Sequence, residues 1–87
     1  MSQLHAIFVY QPPYDGVARL LKQLAKARKQ KQYADRTDAI DLVSATVKTI
    51  TAKRTFDGPC ALRDVINKAA KRNKKFRDAL NLIGFER

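Results

Sequence analysis

Lysine and arginine side chains at helical spacing are the residues of this sequence most suited to binding chemistry. One predicted helix carries four of them on one side, at intervals of 3, 4 and 3 positions: Arg19, Lys22, Lys26 and Lys29. A second cluster lies later in the chain: Lys71, Arg72, Lys74 and Lys75. Such cations on helices bind phosphate backbones, in part by releasing condensed counterions. The pattern predicts two polyanion-binding segments, and its plain alternative is an ordinary solvated helix face.

Arg63 and Asn67 are a second kind of candidate, because they lie one helical turn apart near the start of the predicted third helix. Base edges are read from such positions when a helix enters a major groove, with arginine suited to guanine and asparagine to adenine. The alternative is that both are exposed polar residues on an amphipathic helix. The connector at 52–59 is longer than the tight turn of a helix-turn-helix motif, so the sequence indicates no family.

Catalytic chemistry has little support in the residue types. His5 and Cys60 are single residues of their kind, and a metal site needs several His, Cys or carboxylate ligands at suitable spacing. Glycine-rich phosphate loops are absent from the sequence, and its acids form no acid/base pair. We therefore expect no catalytic residues, no metal, no cofactor and no enzyme activity. A metal-free nuclease that uses only Lys, Arg and Tyr needs no diagnostic spacing and stays a minor alternative.

Length and composition limit the class of protein to which these residues can belong. The chain has 87 residues, 18 Lys+Arg against 8 Asp+Glu, and a formal net charge of +10. This length predicts one domain, 1–87, with one modest core. The lone cysteine excludes an intrachain disulfide, and the longest apolar run, 6–10, is too short for a membrane span or signal segment. We expect a cytoplasmic protein with no membrane partner.

The charge is unevenly distributed along the chain. Residues 1–34 carry a net +5, residues 35–58 are neutral, and residues 59–87 carry another +5. Every Lys, Arg, Asp and Glu follows residue 14, so 3–14 is an uncharged segment rich in aromatic residues. This segment needs a role other than binding an anion.

Apolar periodicity predicts the elements that position the charges. Residues 4–10 are rich in Ile, Phe, Val and Tyr and predict a short strand that ends at Pro12-Pro13. Such a strand must pair with another segment or with a second copy of the chain. A helix over 15–32 follows, with Asp15 as its N-cap. Because Arg28 lies on the apolar side of that helix, its last turns should project into solvent or contact something acidic.

The second half of the chain is predicted to be helical. Residues 38–52 indicate a helix capped by Thr37 or Asp38, with a strand as the alternative because Val43–Lys48 alternates. Residues 59–84 are predicted to form either one helix or two helices separated near Asn73, and Gly84 is predicted to end the last helix. Lys68 and Arg77 lie beside that break. The predicted fold is mainly α, a small domain of three to four helices with one N-terminal β-strand; a strand at 43–52 would make it α+β.

The leading functional hypothesis is a small non-enzymatic nucleic-acid-binding protein of the kind found among bacterial, phage or plasmid regulators, with DNA and RNA both open. The alternative is a protein-interaction module, such as an inhibitor, adaptor or toxin–antitoxin component, that binds an acidic protein surface. In that alternative the strand at 4–10 is the anchor and the basic helices accelerate encounter. A homodimer through the same strand is a further hypothesis.

Overall fold

The computed structural model describes residues 15–85, which form four α-helices and one 3₁₀-helix. We number the α-helices in chain order: α1 Gly16–Arg28, α2 Thr37–Thr51, α3 Pro59–Arg72 and α4 Lys74–Leu82. The 3₁₀-helix, Lys31–Arg36, joins α1 to α2. The mainly helical prediction is confirmed, and residues 15–85 contain no strand. The strand predicted at 4–10, and the dimer through it, lie outside the described residues.

Helix α2 is the centre of the molecule and contacts the other three α-helices. Its buried side is Ile40, Val43, Val47 and Thr51, which recur at helical spacing. Val43 and Val47 are 0% exposed. The helix prediction is therefore confirmed, and the strand alternative at 43–52, with the α+β fold, is wrong. Burial of each branched side chain stabilises the fold by roughly 1.5–3 kcal/mol, more than the weak helix propensity of these residues costs.

Helix α1 is shorter than the predicted 15–32, because it ends at Arg28 and Gln30 is extended. The last turn closes with the Lys29 N–H donating to the Lys26 carbonyl at 3.1 Å. At the other end Asp15 occupies the N-cap position, but its side chain makes no capping hydrogen bond. The Asp15 carboxylate lies 3.3 Å from the Arg19 guanidinium instead, so this predicted cap is an exposed ion pair.

Of the two alternatives that the sequence left open for 59–84, the structure has the helix pair, with its break at Asn73. Asn73 is extended, with φ −127° and ψ 104°, and its side-chain oxygen accepts a hydrogen bond from the Phe76 N–H at 3.1 Å. It therefore ends α3 and caps α4. Phe76 is 0% exposed, so the turn also directs an aromatic side chain into the core.

The C-terminus of α4 has the glycine stop that the sequence predicts. Gly84 has φ +74°, the Phe85 N–H donates to the Leu80 carbonyl at 2.9 Å, and the Gly84 N–H donates to the Asn81 carbonyl at 3.1 Å. These two bonds define a Schellman motif. The motif places Phe85 against the core.

A single apolar core joins all four α-helices and the connector before α3. Its buried side chains are Leu24, Ile40, Val43, Val47, Phe56, Leu62, Ile66, Ala70, Phe76, Ala79 and Leu80. Arg36 adds a polar connection beside this core: its guanidinium donates to the Gln32 carbonyl at 2.7 Å and the Leu82 carbonyl at 3.4 Å. The short 3₁₀-helix is thereby joined to the end of α4.

None of the helices between residues 15 and 85 combines the length and the apolar character needed to cross a membrane.

Candidate nucleic-acid interface

Helix α3 lies between two grooves that hold most of the basic side chains near the Asn73 break. Its buried side is Leu62, Ile66 and Ala70, so the opposite side is open to solvent. The α3–α4 groove is lined by Asp64, Asn67, Lys68, Ala70, Lys71 and Arg77. The α2–α3 groove lies between the end of α2, the following connector and the other flank of α3, and it includes Arg54, Phe56, Asp64, Lys68 and Arg72. Because both grooves include Asp64 and Lys68, these two residues form the ridge between them.

Five cationic residues along these two grooves form one continuous surface, which we call the α3 basic band: Arg54, Lys68, Lys71, Arg72 and Arg77. Lys68, Lys71 and Arg72 are exposed, and their spacing of three and four positions keeps them on neighbouring sides of the helix. A surface of this kind favours an anion that can contact several cations at once.

Asp64 is the one acid between residues 15 and 85 that lines the two grooves. Its carboxylate lies 3.3 Å from the Lys68 ammonium, and both side chains are exposed, at 62% and 72%. An exposed pair one helical turn apart contributes little stability and exchanges readily, so Lys68 remains available to an incoming phosphate. The band therefore retains a strong positive excess.

Two of the band's cations also fit a purely structural explanation. Lys71 and Arg72 lie in the last turn of α3, where cations interact favourably with the helix dipole. That effect is worth about 0.3–1 kcal/mol for exposed residues. It does not explain Arg54 in the connector or Arg77 on α4, which approach the same grooves from other elements.

The structure separates several residues that the sequence grouped together. Asn67 and Lys71 line the α3–α4 groove and Arg72 lines the α2–α3 groove. Lys74 and Lys75 are exposed on the first turn of α4 and line neither groove. Arg63 lines a third groove with Arg19, between α1 and α3, which we call the α1–α3 groove. Arg63 and Asn67, predicted together as base readers, thus belong to different grooves.

The predicted stripe on α1 lies on the side of that helix away from the core. Lys22, Lys26 and Lys29 are exposed, whereas Leu24 is buried on the opposite side. Of the four stripe residues, only Arg19 lines one of the three grooves described above. The α1 stripe and the cluster at 71–75 therefore do not meet in any of these grooves.

Sequence reasoning missed three members of the α3 basic band as site residues: Arg54, Lys68 and Arg77. Lys68 and Arg77 could have been included, since both flank the break at Asn73. Arg54 carried no such signal, because it falls in the segment of zero net charge, and only the turn between α2 and α3 brings it to the groove.

The shortest ion pair among residues 15–85 lies away from these grooves, between α1 and α2. The Arg28 guanidinium donates two hydrogen bonds to Asp41, Nε to Oδ1 at 2.7 Å and Nη2 to Oδ2 at 3.1 Å. These hydrogen bonds lower the pKa of Asp41 and raise that of Arg28. The predicted acidic contact at the end of α1 is thus made within the chain, which removes Arg28 from the cations free to bind a ligand.

Tyr33 extends the line of the α1 stripe in the sequence, but it belongs to the 3₁₀-helix. It is half-buried against the core, and the Arg36 guanidinium lies 4.9 Å from its ring centroid. A ring held in a cation–π contact and packed on the core is poorly placed to stack on a base.

Two further observations concern metal ligands and the lone cysteine. Across those residues no group of three or more His, Cys, Asp or Glu side chains lies close enough to hold a metal ion. Cys60 is exposed on the first turn of α3 and is a free thiol. Comparisons with known protein families, with curated proteins and with solved structures find no match to this chain.

Proposed function

We propose that this protein is a non-enzymatic nucleic-acid-binding protein that contacts phosphates through the α3 basic band. The observation that supports this proposal is the convergence of Arg54, α3 and Arg77 on two adjoining grooves. Asp64, the one acid among the described residues of these grooves, is paired with Lys68. Cations drawn from three elements onto one surface are more than a solvated helix face requires. We propose that a regulator of this kind would bind its nucleic acid through this surface.

The proposal has a quantitative signature in the salt dependence of binding. If the five cations of the band each neutralise one phosphate of a duplex, log affinity falls with log salt at a slope of about −4.5, from about −0.9 per phosphate. Fluorescence anisotropy with labelled duplex and single-stranded oligonucleotides, at several NaCl concentrations, measures this slope. Failure to bind either oligonucleotide at low salt would overturn the proposal.

Matched variants test whether the band, rather than total charge, carries the binding. Two triple variants remove three exposed cations each. The band variant is Lys68→Gln/Lys71→Gln/Arg72→Gln, and the stripe variant, on the α1 stripe, is Lys22→Gln/Lys26→Gln/Lys29→Gln. We expect the band variant to reduce the magnitude of the salt slope by about 2.7. The stripe variant should change it much less. Equal losses would assign binding to overall charge and not to this surface.

An acidic protein is the alternative partner, and the same assay can include it. Polyglutamate competes for a surface that recognises carboxylates, whereas a surface that follows phosphates prefers the oligonucleotide. Competition by polyglutamate at charge concentrations equal to those of the oligonucleotide would favour the protein-interaction module.

A further inference from the structure

The α1–α3 groove differs from the two basic grooves in the residues that line it, most of which are apolar. Its buried side chains are Leu24, Ile40, Leu62 and Ile66, and its half-buried apolar ones include Leu20, Ile83 and Phe85. The exposed polar side chains that line the groove are Arg19, Gln23 and Arg63. Half-buried apolar groups along an open groove are a surface that a further apolar segment can cover.

The chain itself supplies a segment of that character next to the groove. Gly16, the first residue of α1, lines the groove, and the uncharged segment 3–14 leads into it. Within that segment Ile7, Phe8, Val9 and Tyr10 are consecutive apolar or aromatic residues. Such a run is stabilised when it is removed from water.

The length of the connection is sufficient. Six peptide units join residue 10 to Gly16 and reach about 20 Å when extended. The α1 flank of the groove, from Gly16 to Ala27, is about 17 Å long at about 1.5 Å per residue. A segment tethered this closely has an effective concentration of order mM, far above that of a free partner.

We propose that residues 4–10 dock in the α1–α3 groove of the same chain and cover Leu20, Ile83 and Phe85. This inference is independent of nucleic-acid binding, because the groove contains none of the cations of the α3 basic band. It gives the uncharged segment a role within the fold and leaves α3 free to contact an anion.

Thermal unfolding of paired variants is the first test. Phe8→Asp places a carboxylate in the apolar run, and Ser2→Asp adds the same charge outside it. Docking predicts that Phe8→Asp lowers Tm by about 5 °C or more, whereas Ser2→Asp leaves it within about 1 °C. Equal Tm values for the two variants would overturn the proposal.

Nuclear Overhauser effects on the full chain give the second test. We expect cross-peaks from the Phe8 and Tyr10 ring protons to the methyl groups of Leu20 and Ile83. A mixture of labelled and unlabelled chains, with isotope filtering, distinguishes contacts within a chain from contacts between chains. Cross-peaks only between chains would assign the groove to a second copy, and their absence in a folded chain would leave the groove open; either result contradicts the proposal. Oligonucleotide affinity of Phe8→Asp, measured separately, reports on the nucleic-acid proposal alone.

Discussion

Arg28 shows how one residue can be placed correctly by a sequence pattern while its partner stays hidden. The periodicity put Arg28 on the apolar side of α1 and indicated that it must reach solvent or an acid. Asp41 lies 13 positions away on another helix, and no local pattern joins the two. Only the packing of α1 on α2 defines the pair.

The lowered pKa of Asp41 predicts a pH dependence of stability. An aspartate has a pKa near 3.9 when unfolded, and the hydrogen bonds from Arg28 hold the folded value lower. The pair therefore stabilises the folded state above about pH 4, and this contribution is lost as the pH falls through the folded pKa. We expect Asp41→Asn to lower Tm at pH 7 but to differ little from the parent near pH 2. Asp57→Asn, in the connector, controls for the lost charge; an equal effect of that variant would contradict the prediction.

Asn73 ends α3 through its extended backbone and caps α4 through its side chain, and the loss of that side chain should be measurable. Asn73→Ala removes the acceptor for the Phe76 N–H, so we expect the free energy of unfolding in urea to fall by about 1 kcal/mol. Asn73→Asp keeps an acceptor at the same position and should retain most of the stability. If both variants lose the same amount, the capping bond is not the cause.

At the scale of elements, the sequence predicts the existence of each described α-helix better than its ends. The period of Ile40, Val43 and Val47 identified α2 despite their preference for strands, because burial on one side outweighs propensity. The end of α1 was placed too late, at residue 32. Lys29–Lys31 contains no glycine or proline to mark the stop, and the chain leaves the helix where Arg28 contacts Asp41.

The left-handed conformation at the end of α4 allows a paired glycine test. Gly84 has φ +74°, and an added Cβ would meet nothing within 4 Å, so Gly84→Ala changes backbone strain alone. We expect a loss of about 1–2 kcal/mol in the free energy of unfolding. Gly58, with φ 176°, is extended and equally open, so Gly58→Ser should cost little. A neutral Gly84→Ala would show that this turn rearranges without cost.

At the scale of the whole molecule, the sequence located the regions of charge but not the surface that they form. Lys71 and Arg72 were predicted as site residues and lie in the α3 basic band, since they share one helix. Arg63 and Asn67 diverge because adjacent sides of α3 face different helices. Arg54 joins only through the turn after α2, so tertiary packing decides the members of the site that spacing alone cannot.

The net charge of +10 predicts that the folded state is weakened by its own repulsion. Raising NaCl from about 0.01 M to about 0.15 M shortens the Debye length from about 30 Å to about 8 Å. Screening should therefore raise Tm in the absence of any ligand. The stripe variant Lys22→Gln/Lys26→Gln/Lys29→Gln has less charge to screen and should show a smaller rise. A Tm that falls with salt would mean that ion pairs outweigh the repulsion.

The central position of α2 also affects when the chain can fold during its synthesis on the ribosome. Helices α1 and α2 contact each other directly, and both are complete once residue 51 has been synthesised. The core that covers α2 also needs side chains of α3 and α4, such as Ile66 and Phe76. Since a domain generally folds as a unit, we expect folding to await the synthesis of the later, more basic half of the chain.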